Sequence, residues 1–146
     1  MSSTIYTIGY ERRSIDEFIE YLIKNNIAQL IDVRNNPQSR KSGFSRLTLS
    51  EACERYGIRY LSFPALGIPS DRRKRFPGIA NRRALLDWYE DNIVTLWPQE
   101  IKVLSEFVRQ KPSALMCFER DPTLCHRHRL ANLLSNLTGQ AIVHLL

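Results

Sequence analysis

The sequence predicts an α/β protein: a single three-layer domain over residues 1–146, with a mostly parallel sheet of about five strands flanked by helices. Three observations predict it. Short apolar runs rich in β-branched and aromatic residues alternate with stretches of helical period, the pattern of a parallel sheet covered on both faces. No internal repeat, low-complexity tract or domain boundary interrupts them. The chain of 146 residues is also long enough to bury a substantial core in one domain.

The elements follow in order. Thr4-Ile5-Tyr6-Thr7-Ile8, ended by Gly9, reads as a buried strand. Ser14 is an N-cap, with Glu17 three residues on as in a capping box. Ile15, Phe18, Ile19, Leu22 and Ile23 then recur at helical spacing, and Asn25-Asn26 closes the helix. Gln29 to Val33 is a second strand, broken by Arg34-Asn35-Asn36-Pro37. Residues 35–46 form a long polar, basic loop. Thr48 to Tyr56 is a short helix stopped by Gly57. Ile58 to Phe63 is a third strand, and a polar loop is expected over 68–83. Ala84 to Leu96 is helical, and Pro98 starts another helix at its N1 position. Ala114 to Phe118 is the fourth strand, Cys125 to Leu137 the last long helix, and Ala141 to His144 a final strand.

Composition bounds the function. Hydrophobic content of 43% and charged content of 25% are those of an ordinary globular protein. No apolar run reaches membrane-spanning length, so no membrane association is expected. The N-terminus lacks a basic region followed by an apolar one, which argues against a secretory signal. Cys53, Cys117 and Cys125 are an odd set without dense spacing, which fits a reducing, cytoplasmic setting with free thiols. A net charge of +6 suits anionic partners, a phosphorylated small molecule or nucleic acid.

In a parallel sheet the strand C-termini share one rim, the ligand crevice of open α/β folds. Each predicted strand ends in residues suited to that crevice. The first gives Gly9 and Tyr10. The second gives Asp32 and Arg34, with Arg40 on the loop beyond. The fourth gives Cys117 and Glu119, and Cys125, His126 and Arg127 open the next helix. Arg34, Arg40 and Arg127 are candidate anion ligands. Asp32 and Arg34 lie on one face of an extended segment and equally suit a structural salt bridge. Glu119 is the candidate general acid or base, or else a carboxylate paired with Arg34 or Arg127. His126 is a candidate proton carrier.

A thiol at a helix N-terminus among arginines gains thiolate character, which makes Cys125 a candidate nucleophile. Neighbouring helix residues diverge, so Cys125 and His126 do not form a dyad by sequence alone. The absence of a C-x5-R loop counts against a cysteine phosphatase. Cys117, Glu119, Cys125 and His126 match no established zinc spacing, and no metal is expected. Neither G-x-G-x-x-G nor a Walker A motif occurs, so no cofactor is expected. Arg72, Arg73, Lys74 and Arg75, with Phe76 beside them, form a basic run suited to single-stranded nucleic acid.

The chain also resembles a known family. Thr7-Ile8-Gly9-Tyr10, Ile31-Asp32-Val33-Arg34, Ser39-Arg40, Gly57-Ile58-Arg59-Tyr60, Leu66-Gly67 and Cys117-Phe118-Glu119 with Cys125-His126-Arg127 occur in this order. Together they resemble domain of unknown function 488, a family of bacterial and archaeal proteins, over nearly the whole chain. Ile68 stands where members usually carry a second glycine. The resemblance implies a compact α/β domain and assigns no reaction. It points to Gly9, Asp32, Arg34, Arg40, Glu119, Cys125, His126 and Arg127. Three functional readings stay open: an enzyme on a nucleotide, nucleic acid or phosphorylated small molecule; a non-catalytic nucleic-acid-binding or regulatory module; and a thiol or sulfur-transfer protein.

Overall fold

The computed structural model describes residues 1–146. Five strands, β1 (Thr4–Gly9), β2 (Gln29–Asp32), β3 (Arg59–Ser62), β4 (Ser113–Cys117) and β5 (Ala141–Leu145), form one sheet in the order β3-β2-β4-β1-β5. Every pairing is parallel. Six helices cover it: α1 (Ile15–Lys24), α2 (Arg46–Arg55), α3 (Ser70–Arg75), α4 (Arg82–Leu96), α5 (Pro98–Gln110) and α6 (His126–Thr138). None is long and apolar enough to cross a membrane.

The strands alternate their side chains between two cores. Ile8, Leu30, Ala114 and Met116 pack with Phe18, Ile19 and Leu22 of α1 and Leu49 and Cys53 of α2. Ile5, Ile31, Leu115 and Cys117 pack on the other face, against α4, α5 and α6. The three-layer α/β architecture is thus the one the sequence predicts. The expected cap also forms: Ser14 Oγ accepts from the Glu17 backbone N–H at 3.1 Å.

The strand order locates the crevice. From β2 the chain moves outward to the edge strand β3, whereas from β4 it crosses to the opposite edge, β5. The two connections run over different faces of the sheet. The neighbouring C-termini of β2 and β4 are therefore a topological switch point, and the loops leaving them diverge and open a cleft.

One expectation changes. The polar loop expected over 68–83 contains α3 and a 3-10 turn at Ile79–Asn81. Helix α3 buries no residue, so no apolar period announces it. Its Pro69 cap and single turn of backbone bonds hold it, with the Arg72 and Arg73 N–H groups donating to Pro69 O.

Candidate functional site

Two glycines allow the rim to close. A Cβ on Gly9 would stand 1.9 Å from the Glu119 carbonyl oxygen, so the loop after β4 crosses β1 only where a side chain is missing. A Cβ on Gly67 would stand 2.0 Å from the Asn35 backbone nitrogen, so the loop after β3 lies directly on the loop after β2. Ile68, next to it, is buried and forms part of the cleft wall. The cleft left between these loops holds about 300 Å³. Tyr10, Arg34, Arg73, Cys117, Glu119 and His126 line it, with Asn35, Asn36 and Gln38 on the β2 side.

Asp32 and Arg34 form a buried ion pair at the foot of this cleft. Arg34 Nε donates to Asp32 Oδ1 at 2.9 Å and Nη2 to Oδ2 at 2.7 Å, a bidentate fork. Nη1 donates to Phe44 O at 2.7 Å, which ties down the loop 35–46. Tyr10 stacks on Phe44 with ring centroids 4.6 Å apart, and the Tyr60 hydroxyl donates to Asp32 Oδ2. Burial lowers the Arg34 pKa, but the hydrogen bond and charge of Asp32 outweigh it and raise the pKa above its ordinary value. Burial, and then the Asp32 charge, raise that of Tyr60. Every guanidinium nitrogen of Arg34 is engaged inside the protein. The geometry is that of the structural salt bridge.

The other two arginines expected to bind an anion are also placed away from that task. Arg40 is exposed on its loop and does not line the cleft. Arg127 is fully buried. It donates to the carbonyls of Glu119 and Arg120 and reaches Cys117 Sγ at 3.8 Å. It forms no ion pair, and burial pushes its pKa down to about 10 against the opposing pull of Glu119 and Asp121.

Glu119 pairs with neither Arg34 nor Arg127. Its Oε1 accepts from Arg82 Nη1 at 3.1 Å, and the same nitrogen donates to Leu124 O at 2.6 Å. Arg82 opens α4, distant in sequence, so no local spacing could reveal it. Arg73 reaches the cleft from α3 and donates only to Ile68 O, through Nε at 3.2 Å. Arg73 is exposed as a residue, but the cleft wall partly desolvates its guanidinium and lowers its pKa; Glu119 opposes this and Arg82 adds to it, which puts all three charges in one neighbourhood. The rest of the basic run is dispersed. Arg72 lies over the Trp88 ring at 4.3 Å, and Lys74 and Arg75 are exposed.

Cys117, Cys125 and His126 meet at the back of the cleft. In place of the three free thiols expected, Cys117 and Cys125 are joined by a disulfide, and only Cys53 is free. The last residue of β4 and the cap of α6 face each other across a seven-residue loop, a proximity that sequence spacing does not show. Cys125 is in extended conformation, φ −126° and ψ 145°, so the helical rule that separates neighbouring side chains does not apply. Its Sγ stands 3.9 Å from His126 Nδ1. His126 Nε2 is 2.7 Å from Val33 O. A carbonyl only accepts, so Nε2 carries the hydrogen and Nδ1 keeps its lone pair. Burial first, opposed by the Val33 bond, pushes the His126 pKa down to about 4 and keeps the ring neutral.

The cleft therefore combines a guanidinium with free Nη groups, an arginine-paired carboxylate, a neutral imidazole and the sulfur of Cys117, with Cys125 behind it. Comparison with curated proteins and with solved structures gave no match. Residues 14–134 match the model of the family described as domain of unknown function DUF488, and the chain belongs to that family.

Proposed function

We propose that the protein is an enzyme acting on a small phosphorylated molecule, up to the size of a mononucleotide, bound in the cleft between the β2 and β4 ends. One observation carries this reading. Arg73 projects into a cleft at the topological switch point with both Nη groups unpaired within the protein, beside Glu119. In this reading Arg73 anchors the anion. Glu119 is the acid or base, since Arg82 holds one carboxylate oxygen and leaves Oε2 without an N–H donor. Asn35, Asn36 and Gln38 supply polar contacts for orientation.

Calorimetric titration of inorganic phosphate and mononucleotides tests it, with thermal melts alongside. Saturation at a hundred times Kd stabilises by about 2.7 kcal/mol. Arg73→Ala abolishes binding, whereas Glu119→Gln keeps binding and loses turnover. No heat and no stabilisation with any of these anions, or binding that survives in Arg73→Ala, refutes the reading.

A second reading, a non-catalytic module that binds single-stranded nucleic acid through the basic run at 70–83, draws on the exposure of Lys74 and Arg75. It predicts affinity for short labelled oligonucleotides that falls steeply with salt. That affinity is lost in a Lys74→Ala/Arg75→Ala variant and unaffected by Glu119→Gln.

A further inference from the structure

The ligand atoms of Cys117, Cys125 and His126 all lie within 4.8 Å of one another, and all three residues are buried. We propose that in its dithiol form the chain binds a thiophilic divalent metal of the zinc type through Cys117 Sγ, Cys125 Sγ and His126 Nδ1. The site goes beyond the anion reading and stands without it.

Three features argue for a metal at this place. The first is the histidine. Its Nε2–H is committed to Val33 O, and Nδ1 presents a lone pair to the sulfurs. Metal-ligating histidines are oriented in this way by a backbone carbonyl. The Nδ1···Sγ distance of 3.9 Å is near the separation of about 3.6 Å that tetrahedral zinc gives its nitrogen and sulfur ligands.

The second is the cysteine spacing. The Cα atoms of Cys117 and Cys125 are 7.4 Å apart, outside the usual disulfide range of about 4.4–6.8 Å. Two thiolates on one zinc ion hold their sulfurs about 3.8 Å apart, which this backbone separation accommodates.

The third is charge. Arg127 is fully buried without an ion pair, and its Nη1 lies 3.8 Å from Cys117 Sγ. A guanidinium there is a hydrogen-bond donor for a ligating thiolate. Glu119 Oε2, 3.5 Å from the same sulfur, stands toward the cleft. Three protein ligands with the fourth position facing a cleft is the arrangement of catalytic rather than structural zinc. Thiolates with imidazole select zinc and its soft neighbours over magnesium or calcium.

The balance is simple. A phosphine or thiol reductant supplies the two electrons, and solvent the two protons, that turn the disulfide into two thiols. Metal binding returns those protons to solvent, and no further electron moves.

The test uses the full chain, stripped with a chelator, reduced with a phosphine and titrated anaerobically with cobalt(II) in phosphate-free buffer. The expected result is a near-ultraviolet thiolate-to-cobalt charge-transfer band with the visible bands of a four-coordinate ion. They saturate at one ion per chain and are displaced by zinc. Cys117→Ser and Cys125→Ser each weaken or abolish the band, and Cys53→Ser leaves it unchanged. Arg127→Met keeps the band but weakens affinity about ten- to hundred-fold. Wild-type protein that is fully reduced by thiol count and shows no band overturns the proposal whatever the variants do. A band that persists in Cys125→Ser but is lost in Cys53→Ser overturns the assignment. Because no phosphate or nucleotide is present, failure of the anion reading leaves these outcomes untouched.

Discussion

Replacing Arg34 by methionine decides between the two roles the sequence leaves to it. The substitution keeps most of the side-chain volume and removes the cation that faces Asp32. Asp32 is fully buried, and Arg34 provides its bidentate partner at 2.9 and 2.7 Å. Removing one member of a buried pair leaves an uncompensated charge and costs about 3–5 kcal/mol. A chain of 146 residues unfolds with an entropy near 0.3 kcal/mol per degree, so Arg34→Met lowers Tm by roughly 10–16 °C. Asp32→Asn in the same chain removes the orphaned charge and recovers the larger part of the loss. Scanning calorimetry measures both, and urea melts followed by circular dichroism check that the m-value is unchanged. A loss below about 1 kcal/mol in the single variant, or no recovery in the double one, refutes the structural assignment. Arg34 would then be a guanidinium free enough to bind substrate.

Two further outcomes follow from the geometry. Gly9→Ala places a Cβ on the Glu119 carbonyl and destabilises by about 3 kcal/mol or more, because backbone rather than a flexible side chain must move; a melt within a few degrees of wild type contradicts this. His128 Nδ1 lies 3.4 Å from His144 Nε2, and Thr7 Oγ1 lies 2.6 Å from His144 Nδ1. Burial lowers both histidine pKa values, helped by Arg129 at His128 and by His128 at His144. Their folded values lie below the unfolded value of about 6.5, so their stabilisation is full above that pH and fades as pH falls through the folded values. Proton NMR titration of the two rings therefore gives midpoints below about 6.5, and His144→Gln flattens the acid limb of the Tm–pH curve; midpoints at or above that value refute the sign.

The layers of the fold were legible because they rest on local chemistry. Thr4–Gly9 and Ser113–Cys117 are buried runs whose composition leaves few alternatives to a strand, and Ser14 with Glu17 marks a helix start by side-chain hydrogen bonding alone. Helix α3 was illegible because Ser70–Arg75 buries nothing, and hydrophobic periodicity is the signal that marks a helix. The rim was legible as a place, since parallel strands bring their ends together. The pairings within it were not. Glu119 finds Arg82 rather than Arg34 or Arg127, through a contact between the β4 loop and the start of α4. Arg73, read as part of a surface run, turns into the cleft while Arg72 lies on Trp88.

The arginines of the rim were the feature most open to misreading, because a guanidinium has the same sequence signature whether it binds a ligand or holds a loop. Three different fates are separated only by what surrounds each one. Arg34 has a carboxylate and becomes structural. Arg73 has a single carbonyl and keeps donors to spare. Arg127 has carbonyls, a sulfur and no acid within ion-pair distance, Glu119 and Asp121 acting on it only from farther off. Dipoles of carbonyl groups solvate a buried cation only in part, and an isolated buried charge is costly. The anion that best compensates Arg127 at 3.8 Å is the thiolate of Cys117, a species absent from the disulfide and present when the sulfur ligates a metal. Arg127 is thus better suited to the metal-bound form of the site than to the disulfide, and removing its charge weakens metal binding.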